Sequence, residues 1–361
     1  MKIFPFIDIL RAFAAILVII FHVIHFGEWT SFPVDGFLRI FRIGWIGVDL
    51  FFVISGFVIG GAALYGYEKS PGSAFSKEFA ERRVRRIAPL YFLTGLVYFF
   101  VVNPELLQLP WSVWSVHVGA HALFLHNLHP LTHGSINGPN WSVALEMQFY
   151  LLIILITPWL AKASGLKIIG IAVVLAMGWR FAMTQMYPAI SPEGVNNLFV
   201  FSTQLPGVID AFAFGIVLAK LTRTKWFEFE WRAFFGIIVA CIFMLAACWI
   251  LYWKYPMYWS IWWMVVVWRT ILSLAFAGLV LIFALFPCKV SWFISPFCYL
   301  GKISYGLYLW HLPVLLTLVE KTNLRGVSLL YAVLCGTIVM SSFSWHAFEK
   351  LWLKPRTLKL V

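Results

Sequence analysis

The ionisable residues with most chemical consequence in this chain are those placed where water should be absent. The first apolar run, residues 6–26, carries Asp8, Arg11, His22 and His25 among Ile, Leu, Val, Phe and Ala. In hydrocarbon such side chains cost enough to mark function. Arg11 and His22 are eleven residues apart, close to three helical turns, so both leave one face of a helix at depths differing by about 16 Å. An imidazole titrates near neutrality, so His22 can take a proton from a hydroxyl or form a transient covalent adduct; its structural alternative is a hydrogen bond between helices. His25, one turn on, suits an interfacial position. Asp8 and Arg11 are three residues apart and can offset each other's desolvation. The arrangement implies a protein that brings something from one face of a bilayer to a reaction near the other.

Further candidates lie along the chain. Glu146 sits within an apolar stretch, where a carboxylate must be protonated, paired or facing water. It could orient and charge His22, or pair with Arg180 or Arg269 and hold helices together. Asp49 precedes Ser55, Gly56, Gly60 and Gly61, small residues suited to helix packing, and is itself a catalytic candidate. Arg82, Arg83, Arg85 and Arg86 place four guanidinium groups in five positions, a set that binds phosphates in bidentate fashion or, more simply, lipid head groups. Asn137, Asn140 and Trp141 offer donors, acceptors and an aromatic face that suit a sugar. His311 precedes Pro313, which kinks a helix and frees backbone groups, so it could line a cavity or satisfy those groups. For Asp210, Arg180, Arg269 and Glu349, pairing with one another is the simplest expectation.

These residues need helices to position them. The 361 residues are 62% hydrophobic and 12% charged, with repeated apolar runs of membrane-spanning length, which implies an all-α polytopic membrane protein and excludes a soluble one. Trp and Tyr gather near the run ends, as in interfacial belts. Ten spans are expected, near 6–26, 42–66, 87–103, 140–160, 167–186, 199–219, 234–253, 262–286, 299–319 and 327–348. The first run is too long for a signal-peptide core and no cleavage site follows it.

A cytoplasmic N-terminus places nineteen Lys and Arg inside: Lys2, Lys69, Lys77, Arg82, Arg83, Arg85, Arg86, Lys162, Lys167, Lys220, Arg223, Lys225, Arg232, Lys289, Lys302, Lys350, Lys354, Arg356 and Lys359. Five fall outside: Arg39, Arg42, Lys254, Lys321 and Arg325. The positive-inside rule asks for this split, and it puts both termini in the cytoplasm. The net charge of +12 is thereby explained by loops, with no nucleic-acid partner. Residues 111–139 hold only a short apolar piece, Ala120–Leu125, among His117, His121, His126, His129 and His133. An eleventh span there would put the later basic loops outside, so a re-entrant or interfacial extracytoplasmic segment is expected. The histidines lack HExxH or a nearby carboxylate pattern, and the five cysteines lack CxxC; no metal is expected.

Taken together, the motifs resemble the acyltransferase-3 family of integral membrane acyltransferases. The resemblance rests on Arg11 and His22 as the Arg-x10-His pair, on Gly47-Val-Asp-Leu-Phe-Phe-Val-Ile-Ser-Gly-Phe57, and on Arg83-Val-Arg-Arg-Ile-Ala-Pro-Leu-Tyr91. It continues through Trp141-Ser-Val-Ala-Leu-Glu-Met-Gln-Phe-Tyr150 and Ser304-Tyr-Gly-Leu-Tyr-Leu-Trp-His-Leu-Pro-Val314. It implies an O-acyltransferase that moves an acyl group, usually acetyl, from cytoplasmic acetyl-CoA to a hydroxyl of an extracytoplasmic or lipid-linked glycan, such as a lipopolysaccharide O-antigen or exopolysaccharide, in a bacterial inner membrane. By resemblance His22, Glu146 and Arg11, with Asp49, form the catalytic set. Arg82, Arg83, Arg85, Arg86, Arg11 and Tyr91 hold the acyl-CoA. Asn137, Asn140, Trp141 and His311 meet the acceptor. Some family members carry a fused esterase-like domain; here a single domain over 1–361 is expected, with no fused soluble domain. The alternative from another class is a proton-coupled secondary transporter, since the same intramembrane residues mark ion pathways, although broken helices in matching halves are not evident. A sugar- or lipid-sensing scaffold is a third reading.

Overall fold

The computed structural model describes residues 4–224, 230–254, 257–285 and 291–353. Lys2, Lys225, Lys289, Lys354, Arg356, Lys359 and Cys288 lie outside the described residues. The described residues form helices and turns, with no strand. The long helices are α1 (Pro5–Phe26), α2 (Ile46–Lys69) and α3 (Ser73–Val97), followed after the short α4 (Trp111–Ala122) and α5 (Pro130–His133) by α6 (Trp141–Lys162) and α7 (Gly165–Met186). Then come α8 (Pro192–Ser202), α9 (Leu205–Leu221), α10 (Glu230–Lys254), α11 (Arg269–Leu285), α12 (Ser295–Lys302), α13 (Ser304–Lys321), α14 (Gly326–Ser344) and α15 (Lys350–Leu353).

Among the described residues seven helical stretches are long and apolar enough to cross a membrane, or nine if α8–α9, bent by 45°, and α12–α13, bent by 70°, each count as one span. The expectation was ten. The span expected at 234–253 coincides with α10, whose apolar stretch among the described residues is Phe235–Ala247. At Pro313, where a kink is expected, α13 continues as helix, and the 70° bend lies before Ser304. Pro313 has no N–H for the Leu309 carbonyl four residues back, and the Asn137 side-chain amide donates to that carbonyl instead, at 3.1 Å. A distant loop residue thus replaces the missing rung.

Helix contacts follow from small residues. A Cβ on Gly56 would lie 2.1 Å from the Phe212 carbonyl oxygen, and one on Gly215 would lie 2.1 Å from that of Val53. Hydrogen alone at both positions lets α2 and α9 touch backbone to backbone. Phe212 then stacks on Phe149 at 3.9 Å and tilts against Phe52 at 5.0 Å, joining α6 to the pair.

The histidine-rich segment does not span. It folds as α4, α5 and short turns whose carbonyls are satisfied by side chains from the bundle: Tyr91 donates to His121 O at 3.2 Å, Gln148 to Phe124 O at 2.9 Å and Gln204 to Leu128 O at 3.1 Å. Irregular backbone is tolerated in such a protein only with this kind of cover. His121 and His126 stack face to face at 3.8 Å. Burial pulls His121 and His133 down to about 4 and His126 to about 2. These rings are therefore neutral at pH 7, while in the unfolded chain they charge below about pH 6.5. Between those values the unfolded state binds protons that the fold does not, so stability is lost as pH falls from 6.5 toward 4. Each histidine is expected to contribute a slope of about 1.4 kcal/mol per pH unit in that window. Thermal unfolding in detergent between pH 7.5 and 5 should show a falling midpoint, shallower in His126→Asn; a flat profile would contradict the buried neutral state.

Candidate active site

A cavity of about 980 Å³ runs between α2, α3, α6 and α13. Its rim carries the exposed Lys77, Glu78, Glu81 and Arg82, and its depth is lined by Arg11, Arg83, Arg85, Arg86, Ser55, Glu146 and Tyr150. It ends at the buried Ser142 and Tyr308. Six cationic side chains and three carboxylates face it, so the space favours an anionic ligand.

The guanidinium groups are not equivalent. Arg82 and Arg85 pair with Glu78 and Glu81, each one turn back on α3, at 2.6 and 2.5 Å. Arg86 lies 3.6 Å from Glu349 and against the Trp345 ring, 5.2 Å away, which ties α3 to the segment after α14. Among the described residues Arg83 makes no ion pair; its Nε is buried without a hydrogen-bond partner and its charge rests over the Phe79 ring at 5.6 Å. Arg11 has only the distant Asp8, at 3.8 Å. Arg83, Arg11 and, at the rim, Lys77 are therefore the charges left for a ligand among the described residues.

Glu146 accepts hydrogen bonds from Tyr150 at 2.6 Å and Ser55 at 2.9 Å. It pairs with neither Arg180 nor Arg269, and it does not touch His22. The partner of His22 is His311: its Nδ1 lies 3.1 Å from His311 Nε2 and 3.0 Å from the Val18 carbonyl oxygen. His311 Nδ1 is 2.6 Å from the Tyr308 carbonyl oxygen, which can only accept. His311 therefore donates through Nδ1 and presents a bare Nε2, His22 donates through Nδ1, and His22 Nε2 keeps its lone pair. That nitrogen has no hydrogen-bond partner among the described residues, in a side chain that remains partly exposed. Neither histidine lines the cavity. Tyr308 does, with its ring 5.7 Å from that of His311 one turn along α13 and its hydroxyl 2.7 Å from Ser142 Oγ. The cavity thus stops one aromatic ring short of the histidine pair.

The sequence matches the acyltransferase domain family over residues 4–348. The chain belongs to the acyltransferase-3 family. It is a membrane acyltransferase. It is similar to a provisionally named acetyltransferase of Acidianus two-tailed virus, 27% identical over 91% of this chain and 88% of that protein. It is also similar to the peptidoglycan O-acetyltransferase OatA of Listeria monocytogenes, 26% identical over 96% of this chain and 55% of the relative. The O-acetyltransferase OatA of Staphylococcus aureus is 27% identical over 96% of this chain and 56% of the relative. The chain spans about half the length of these OatA proteins. No solved structure matches it.

Several residues expected in the acyltransferase site stand elsewhere. Asp49 binds Arg269 Nε at 2.8 Å, both side chains almost wholly buried, and does not line the cavity. Beside it Arg180 pairs with Asp210 at 2.7 Å, and Thr270 donates to the same carboxylate oxygen at 2.7 Å. Asp49 is thus part of a lock among α2, α7, α9 and α11. Tyr91 faces His121 and His126 rather than the arginines, because it lies five residues beyond Arg86 and so points from another face of α3. Asn137 and Asn140 are 0% and 1% exposed, and the indole of Trp141 is covered by His133 at 5.5 Å. None of the three lines the cavity. Tyr150 and Tyr308, both within quoted motif blocks, carried a signal that was there to read: each is one turn from an ionisable candidate, Glu146 and His311, on the same helix face.

If Asp49 is a tie, Asp49→Ala strands the Arg269 charge and should cost about 3–5 kcal/mol. Replacing both partners in Asp49→Leu/Arg269→Met should recover most folded protein in detergent gel filtration. Loss of activity in Asp49→Ala with undiminished thermal stability would return it to the chemistry.

Proposed function

We propose that this protein transfers an acyl group, in the simplest case acetyl, from acyl-CoA on the cytoplasmic side to a hydroxyl of an extracytoplasmic or lipid-linked glycan. The observation that carries this reading is the single cavity leading from a cationic rim to the tyrosine beside the His22–His311 pair. The relatives named as O-acetyltransferases support the acyl group, and the one named for peptidoglycan supports a glycan acceptor. The excess of Lys and Arg in the loops on the rim side supports a cytoplasmic rim in a bacterial inner membrane, with both termini on that side.

In this reading the CoA phosphates meet Arg83, aided by Arg82 and Arg85, whose carboxylate partners can be exchanged for phosphate. The pantetheine arm follows the cavity past Arg11 and the Glu146–Ser55–Tyr150 cluster, and displacement of the Tyr308 ring admits the thioester to His22. The acceptor hydroxyl then attacks the thioester carbonyl carbon while its proton goes to His22 Nε2. His22 becomes an imidazolium whose Nδ1–H is held by the lone pair of His311 Nε2, which fixes the ring and spreads the charge. The C–S bond breaks, the proton passes to the leaving thiolate, and ester and CoA thiol are the products. A transient acyl on His22 would use the same nitrogen.

With labelled acetyl-CoA and protein in proteoliposomes, His22→Ala should lower transfer by about 10²–10⁴-fold while CoA binding persists. Full transfer by that variant would refute the assignment. Arg83→Ala should raise KM for acetyl-CoA by about tenfold, the loss of one charge-assisted bond, with little change in kcat; an unchanged KM at low salt would remove Arg83 from the donor site.

A further inference from the structure

An acceptor hydroxyl has to reach His22 from the end of α1 remote from Arg11, and of the residues expected to hold a sugar there Asn137 and Asn140 are buried and Trp141 is covered by His133. A different hollow, of about 200 Å³, opens at that end of α1, with Phe21, His25, Glu28, Trp29, Thr30 and Arg42 in its wall. Phe21 joins it to the reaction centre: its ring is 5.1 Å from that of His22 and stacks parallel to that of His25 at 6.1 Å.

The wall is built rather than incidental. The Trp29 amide returns to the Ile24 carbonyl at 3.0 Å and the Gly27 amide to Val23 at 3.0 Å, closing the end of α1. Arg42 donates through Nε to Pro33 O at 3.1 Å and through Nη2 to Phe32 O at 2.5 Å, which fixes its side chain in the wall. Glu28 has φ of 48°, the left-handed conformation that glycine adopts freely and glutamate rarely. Its carboxylate and the hydroxyl of Thr30 form no hydrogen bond or ion pair with the rest of the described protein. An indole beside unspent acceptors and donors is what a sugar ring requires: its C–H face covers the aromatic plane and its hydroxyls take the polar groups. The volume is below the roughly 300 Å³ at which drug-sized ligand sites begin, so it suits one ring rather than a chain. One guanidinium faces one carboxylate, so nothing in the wall demands a charged sugar.

We infer that this hollow is the acceptor subsite and takes one neutral pyranose ring of the glycan, stacked on Trp29 and hydrogen-bonded to Glu28, Thr30 and His25. The assignment rests on His22 being the catalytic base. The ring's bound position sets which hydroxyl faces His22, so this end of α1 governs acceptor specificity and leaves donor binding alone.

The test uses the full chain in nanodiscs, with chitotetraose and cellotetraose as probes, read by saturation-transfer NMR and by acetyl transfer from labelled acetyl-CoA. Wild type should transfer saturation to at least one sugar. Glu28→Gln and Trp29→Ala should raise the acceptor KM at least tenfold with the acetyl-CoA KM unchanged. Glu28→Gly keeps the left-handed backbone without the carboxylate and should behave as Glu28→Gln, which separates lost recognition from lost folding. No saturation transfer from wild type to either sugar overturns the inference. So do acceptor KM values within twofold of wild type in all three variants while His22→Ala abolishes transfer. Raised acceptor KM values with an active His22→Ala would support the subsite and refute His22 as base.

Discussion

An ionised side chain in a bilayer needs a partner or water, and most of this bundle's architecture follows from how that demand is met. On one side of α2, Asp49 with Arg269 and Asp210 with Arg180 neutralise each other within a few ångströms and lock α2, α7, α9 and α11. On the other side charge is left over. Arg11 and Arg83 have weak or no ion pairs, and Glu146 is held by hydroxyls alone. The bundle opens a cavity there instead of closing on them. The locked half gives the rigidity that an unpaired, reactive half requires.

The histidine pair extends the same logic. The half-buried His22 and the buried His311 are neighbours from helices at opposite ends of the chain, and a backbone carbonyl on each side fixes which nitrogen carries a proton. Fixing the tautomer leaves one lone pair in place before substrate arrives, so the geometry is ready without reorganisation. Tyr308 lines the cavity and lies against His311, so in the proposed reaction its ring is the element that moves for donor and base to meet.

Much of this was legible in the sequence because hydropathy and charge act locally. The apolar runs, the cationic cluster at Arg82–Arg86, the unusual polarity of α1 and the non-spanning character of 111–139 all follow from residues read in order. What was not legible depends on partners far along the chain. His311 lies 289 positions from His22, and Arg269 lies 220 from Asp49. No spacing rule links them, so Glu146 was paired with the wrong residue and Asp49 was given chemistry. Asn137 was misread for a subtler reason: a polar residue near an aromatic one resembles a sugar site, but here its amide stands in for the N–H that Pro313 lacks. The two bends, of 45° and 70°, lower the count of unbroken spans to seven among the described residues.

If one passage joins the arginine rim to His22, a cryo-electron microscopy structure with a non-hydrolysable acetyl-CoA analogue, its thioester sulfur replaced, will trace it. The expected density has the nucleotide phosphates on Arg83, the arm along Glu146 and Tyr150, the Tyr308 ring displaced, and the acyl carbonyl beside His22 Nε2. An analogue whose acyl end stops at Ser142 beneath an unmoved Tyr308, or whose phosphates avoid the arginines, would contradict it.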